Sequence, residues 1–222
     1  MRYTIIATCI LALINQGLQA QDANRFNDEV NALVSASAST WNPYKPTILF
    51  TGSSSIRMWK NVGQLNPDLQ ILNHGFGGSQ ASDLIHHLKQ LVLDFNPIQV
   101  FIYEGDNDLV SGKSVKKALT DLKNVVTGIR SQYPGMPIVL ISAKPSLSRW
   151  KFKGKYQRFN RKLELWTQKD AKLNFADVWN PMLQEDGALK PSIFIEDGLH
   201  MNSSGYIIWE QVIKPLLSIY PK

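Results

Sequence analysis

Four short segments carry side chains whose types and order suit a single acyl-transfer reaction. Gly52-Ser53-Ser54-Ser55 puts hydroxyl groups directly after an apolar run and before a short helical stretch through Ile56, Arg57, Met58 and Trp59. A helix N-terminus favours the negative charge that a serine oxygen acquires as it loses its proton. Taken alone, the same residues suit a capped turn or a phosphate cradle. Asn73-His74-Gly75-Phe76-Gly77-Gly78-Ser79 has three glycines, which let backbone amides approach a ligand; a plain strand-to-helix loop would read the same way. Tyr103-Glu104-Gly105-Asp106-Asn107-Asp108 supplies in Asn107 a neutral amide that can donate to a developing oxyanion, which a carboxylate cannot do. Solvated turn residues are the bland reading there. Glu196-Asp197-Gly198-Leu199-His200 sets a carboxylate three residues before a histidine. Accepting from one ring nitrogen, it fixes the tautomer in which the other nitrogen faces a hydroxyl.

Other chemistries fit less well. The G-x-S-x-G elbow of the α/β-hydrolases is missing, because the residue two after Ser54 is Ile56. An EF-hand counted from Asp106 would need glycine at its sixth place, where Ser111 stands. His86 and His87 are adjacent on a helix and diverge, which leaves His74 and His200 without a third metal ligand.

The elements that must position these segments follow from hydrophobic periodicity. Short apolar runs at Thr47–Gly52, Leu69–Asn73, Ile98–Glu104, Pro137–Ala143 and Lys172–Val178 are bounded by turn-forming residues, as buried parallel strands are. Between them, Leu84, Ile85, Leu88, Leu91, Val92 and Phe95 recur at helical spacing. So do Val115, Leu119, Leu122, Val126, Ile129 and Tyr133, and two later stretches, Tyr156–Trp166 and Tyr206–Leu217. A helical entry is expected from Asp22 to about Trp41, and Ser82, Ser114 and Ser203 stand where N-caps belong. The alternation predicts a single three-layer α/β/α domain whose parallel sheet carries helices on both faces. In such a sheet ligands bind beyond the carboxyl ends of the strands, where the four segments begin.

The four segments, in this order, resemble the sequence blocks of the SGNH hydrolases, the superfamily of the GDSL lipases and esterases. The likeness runs from Thr47 to the final helix. It implies a five-stranded flavodoxin-like sheet of order 2-1-3-4-5, with Ser54 as nucleophile and Asp197 and His200 as its triad partners. The amides of Ser54 and Gly78 with the Asn107 side chain would form the oxyanion hole. The usual Gly-Asp-Ser is Gly52-Ser53-Ser54 here, so the acidic neighbour is lost and Ser53 and Ser55 remain rival registers. The resemblance implies a serine ester hydrolase needing no cofactor or metal. The expected substrate is a short-chain O-acyl ester, an acetyl group above all, on a small molecule or glycan. A lysophospholipase or platelet-activating-factor acetylhydrolase-like esterase is the alternative, and a flavodoxin-like or glycan-binding module without turnover the rival from another class. Trp59, Arg149 and Trp150 are candidate substrate contacts, since tryptophan faces stack on sugar rings and a guanidinium binds anions.

Composition bounds the rest. A chain of 222 residues suits one domain, 21–222, with a core of its own. Residues 1–20 combine Arg2, an apolar run from Tyr3 to Ile14 and a polar end at Leu18-Gln19-Ala20, which predicts a removable signal peptide and an exported, periplasmic or secreted protein without stable membrane insertion. Cys9, the only cysteine, lies inside that run, so the mature chain needs no disulfide. The net charge of +6 comes from lysines scattered along the chain, not clustered as nucleic-acid binding would require.

Overall fold

Alternate residues of one strand feed two separate cores, and this is what makes the protein three-layered. The computed structural model describes residues 22 and 24–217, so the leader predicted over residues 1–20 lies outside the described residues. Strands β1 (Thr47–Gly52), β2 (Gln70–Gly75), β3 (Gln99–Tyr103), β4 (Ile138–Ile141) and β5 (Leu173–Ala176) form one sheet in the order β2-β1-β3-β4-β5. Every pairing is parallel, with Gly52 level with Gly75 on one side and Tyr103 on the other. Leu49, Val100, Ile102, Ile138 and Leu140 point into one core; Ile48, Phe50, Phe101, Tyr103, Val139 and Ile141 point into the other. The period of two follows from the pleat.

The first core is covered by α1 (Asn27–Ala38), α3 (Ala81–His86), α4 (Leu88–Leu91), α6 (Val115–Gln132) and α7 (Lys153–Thr167), through Val30, Leu84, Leu91, Leu122, Val125, Phe159 and Leu163. The second is covered by α2 (Ser54–Arg57) and α8 (Ser203–Ile213), through Ile56, Trp209 and Ile213. Phe50 and Phe101 stack across neighbouring strands with ring centroids 4.3 Å apart. One further short helix, α5 (Asp106–Val110), follows β3. No helix among the described residues is long and apolar enough to cross a membrane.

Several local expectations are corrected. The entry helix is shorter than Asp22 to Trp41 and occupies Asn27–Ala38. The periodic stretch from Leu84 to Phe95 is not one helix: the backbone leaves the helical region at His87 (φ −96°, ψ 9°). After α4 it closes in a 3₁₀ turn, Leu93–Phe95, that ends with Asn96 left-handed (φ 42°). Pro97 excludes a helical residue before it, which ends the run there. Ser114 caps α6, its hydroxyl accepting from the Lys117 amide at 3.1 Å. Ser82 does not cap α3. The cap is Gln80, whose backbone N–H donates to Asp83 Oδ2 at 2.8 Å, so the carboxylate three residues on satisfies the exposed end. Ser203 likewise yields to Asn202, whose side chain accepts from the amides of Ser204 and Gly205.

Candidate active site

Ser54 is the first residue of α2, immediately beyond β1. The turn that delivers it depends on Gly52, left-handed at φ 123°, where a Cβ would sit 2.1 Å from the Tyr103 carbonyl oxygen. Any side chain there would push β1 away from β3. Ser53 then donates its amide to that same carbonyl at 3.1 Å. Ser53 and Ser55 are buried, whereas Ser54 is half-buried with its Oγ 2.9 Å from His200 Nε2. Of the three adjacent serines, Ser54 is the one brought to the histidine.

His200 ends a loop tied down along its length. Its Nδ1 lies 2.5 Å from Asp197 Oδ2, while Asp197 Oδ1 accepts from the backbone amides of Leu199 and His200, each at 2.8 Å. Partial desolvation raises the Asp197 carboxyl. Hydrogen bonds from the His200 ring and the two amides outweigh it and hold the group down at about 2. Asp197 is therefore a carboxylate across the whole working range of pH. The loop is also held by Ile195 N to His200 O at 2.9 Å and by Ser148 N to Gly198 O at 3.1 Å. Lys144 Nζ donates to Leu199 O at 2.6 Å from a fully buried position. Burial pulls Lys144 down to about 8, against the opposing charges of Asp106 and Asp197.

Gly78 follows β2 and Asn107 follows β3, the two strands that flank β1, and the two residues come close to each other. A Cβ on Gly78 would lie 3.9 Å from Asn107 Nδ2, an ordinary contact with no clash. The fold does not require glycine there. Asn107 Nδ2 donates to Ser79 O at 2.9 Å and its Oδ1 accepts from Arg149 Nη1 at 2.9 Å. The Ser79 hydroxyl donates to Glu104 Oε1 at 2.7 Å. Glu104 is buried, and desolvation together with the Asp108 charge pushes its carboxyl well up.

Each of the three residues expected to touch substrate is engaged within the chain. Trp59 is only 3% exposed, its ring held by Phe50, Tyr206 and Trp209 at centroid distances of 5.6 to 5.8 Å. Trp150 is half-buried and stacks on Trp179 (6.1 Å, 11° between planes), with Lys153 Nζ 5.0 Å from its ring. Trp59 belongs to the second core, and Trp150 packs against both. Arg149 is paired with Asp106 Oδ1 at 2.6 Å and is not a free cation.

Sequence reasoning missed the outer supports. Glu29 of α1 accepts from the Gly77 amide at 2.8 Å and from Arg57 at 3.0 Å, so the entry helix braces the glycine-rich turn. The Tyr206 hydroxyl of α8 donates to Ser55 O at 2.9 Å. Asp106, read only as part of a polar turn, is buried and receives the hydroxyls of Tyr103 (2.9 Å) and Tyr156 besides Arg149. Its desolvation is outweighed by the charges of Lys144 and Arg149 and by these hydrogen bonds, which hold it below the usual carboxylate range. In the sequence Asp106 is one of several polar residues between Glu104 and Asp108, and nothing there marks it as buried.

Set against known proteins, residues 40–208 match the profile of the GDSL-like Lipase/Acylhydrolase family. The chain belongs to that family. Among solved structures, a Streptococcus pneumonia protein named for platelet activating factor superposes with a TM-score of 0.75 at 22% identity, covering 88% of this chain and 95% of that one. An acetyl-xylooligosaccharide esterase from Geobacillus gives a TM-score of 0.65 at 15% identity, over 80% and 96% of the two chains. At these identities the likeness is one of fold. In sequence, the chain is 28% identical over 204 residues to an N-acylneuraminate cytidylyltransferase of Escherichia coli O18:K1:H7. That match covers 87% of this chain and 43% of the relative, so this GDSL-family chain spans less than half of that protein.

Proposed function

We propose that this acylhydrolase is an exported serine esterase, periplasmic or secreted, that removes a short acyl group, acetyl foremost, from a carbohydrate ester. The observation that carries the reading is the continuous serine, imidazole and carboxylate chain: Ser54 Oγ to His200 Nε2 at 2.9 Å, then His200 Nδ1 to Asp197 Oδ2 at 2.5 Å. Asp197 accepts a hydrogen bond from Nδ1–H, which keeps the proton on Nδ1 and leaves the Nε2 lone pair for the Ser54 hydroxyl. As Ser54 Oγ bonds to the ester carbonyl carbon, its proton passes to His200. The carbonyl electron pair moves onto oxygen, where the amides of Ser54 and Gly78 and the Asn107 Nδ2 group donate to it. The tetrahedral centre collapses, the C–O bond breaks, and His200 returns the proton to the leaving alkoxide. Water, deprotonated by the same histidine, then attacks the acyl carbon; the bond from that carbon to Ser54 Oγ breaks, His200 returns the proton to Ser54, and the carboxylic acid leaves. Side chains, substrate and water account for every atom, so the cycle calls for no metal or organic cofactor.

The open position at Gly78 supports this reading, since it keeps clear the side of the Asn107 amide on which an oxyanion would sit. For the substrate, support comes from a fold shared with an acetyl-xylooligosaccharide esterase. One observation favours the phospholipid alternative. A groove of about 490 Å³ runs between the end of α2 and the start of α8, where Met58, Trp59, Ile195 and Ile207 stand beside Lys60 and Glu210, and Ile195 and Ile207 are exposed. Rates on p-nitrophenyl acetate, butyrate and a long-chain ester decide between the two. The acetate is expected to be hydrolysed fastest; a clear preference for the long chain refutes the short-acyl reading.

A further inference from the structure

The two ends of a carboxamide have nearly the same shape and opposite hydrogen-bonding character, so what each end touches decides which one faces the site. Arg149 has only donors, and its Nη1 reaches Asn107 Oδ1 at 2.9 Å; the Ser79 carbonyl only accepts, and it takes Asn107 Nδ2 at 2.9 Å. The amide of Asn107 is thereby fixed from both ends. One Nδ2 hydrogen is used by Ser79, and Gly78 approaches the same nitrogen, a Cβ there standing 3.9 Å from it.

Arg149 is itself fixed by a buried anion. Its Nη1 donates to Asp106 Oδ1 at 2.6 Å, so both Nη1 hydrogens are committed, one to Asp106 and one to the adjacent Asn107. Asp106 is in turn held by the Tyr103 and Tyr156 hydroxyls. The Arg149 side chain is 18% exposed and that of Asp106 5%.

We propose that Arg149, anchored by Asp106, is a positioning residue that clamps the Asn107 carboxamide with its free N–H turned toward the tetrahedral oxygen. The inference rests on the acyl-transfer reading above and gives a role to a residue that touches neither the nucleophile nor the base. It replaces the expectation that Arg149 binds an anionic part of the substrate.

The test uses p-nitrophenyl acetate, which carries no anion. Arg149→Met should lower kcat by about 10- to 100-fold, part of the roughly 10²–10³-fold that loss of an oxyanion donor costs, with KM changed less than about threefold. In an Asn107→Ala background the same substitution should cost less than about threefold, because the group it positions is already gone. Losses that multiply in the double variant, or a loss confined to KM, would overturn the clamp. Arg149→Met leaves Asp106 buried without its partner, which can impair folding. Asp106→Asn combined with Arg149→Met removes both charges and should show the same kcat loss. Wild-type kcat in either folded variant, with Ser54→Ala inactive, rejects the clamp alone; turnover by Ser54→Ala rejects the acyl-enzyme reading beneath it.

Discussion

Asp197→Asn exchanges one oxygen for nitrogen and removes no atom from the His200 loop, yet it should nearly abolish turnover. Asp197 Oδ1 accepts from two backbone amides at 2.8 Å each, and those donors keep the asparagine oxygen in its place. The new amide nitrogen then lands where Oδ2 stood, 2.5 Å from His200 Nδ1. An amide nitrogen donates and does not accept, so the ring must present a bare Nδ1 and carry its proton on Nε2. That is the nitrogen 2.9 Å from Ser54 Oγ, and with its lone pair blocked it cannot take the serine proton. The same exchange in a chymotrypsin-type triad costs about 10⁴-fold in kcat. The Asp197 side chain is 42% exposed, so solvent screens part of the charge effect on the imidazolium, and a loss of about 10³- to 10⁴-fold follows, or about 4–5.5 kcal/mol of barrier. Steady-state hydrolysis of p-nitrophenyl acetate, with circular dichroism as the check on folding, measures it. A folded variant within tenfold of wild type would refute the tautomer argument.

The glycine-rich turn offers a paired test. Gly78→Ala should fold as wild type, since its Cβ meets nothing closer than 3.9 Å, but lose roughly 10-fold or more in kcat because the methyl fills space beside the Asn107 amide that the oxyanion needs. Gly77→Ala should instead lower Tm, because the residue is left-handed and its Cβ would stand 2.1 Å from the Phe26 ring. Lys144 predicts a pH signature. Its folded value near 8 lies below the unfolded value of about 10.4, so the unfolded chain binds more protons between these limits and this group's contribution to stability rises with pH there. Urea unfolding of wild type and Lys144→Met should show the difference moving in favour of wild type from pH 8 to 10, by on the order of 3 kcal/mol at full extent. A flat difference would mean that the ammonium is not desolvated.

Periodicity and turn chemistry carried the sheet. All five strands appear within one or two residues of expectation, and β1 spans Thr47–Gly52 as read. The two-faced alternation within each strand is a local property and survives without tertiary knowledge. The four segments meet at one end of the sheet because each follows a parallel strand or leads into the last helix. What was not legible depends on contacts far apart in sequence. Trp59 reads as a rim aromatic from its place beside Ser54, and only the arrival of Tyr206 and Trp209 shows that it is core. Asp106 looks like a solvated turn residue until Arg149, 43 positions on, is brought beside it. The break at His87 is equally silent, since apolar residues at helical spacing continue on both sides of it. Ser53, in the usual place of an aspartate, is buried at the cap of α2, and nothing in the structure explains that substitution.

The central claim is that Ser54 is an activated nucleophile, and covalent labelling tests it most directly. Only a serine made nucleophilic by its surroundings reacts readily with a fluorophosphonate, and mass spectrometry of the digested protein locates the adduct. The account predicts a single adduct on Ser54 in the folded wild-type protein, lost in His200→Ala, where the base 2.9 Å from Oγ is removed. An unlabelled wild-type protein, or an adduct on Ser53 or Ser55 in place of Ser54, would contradict it.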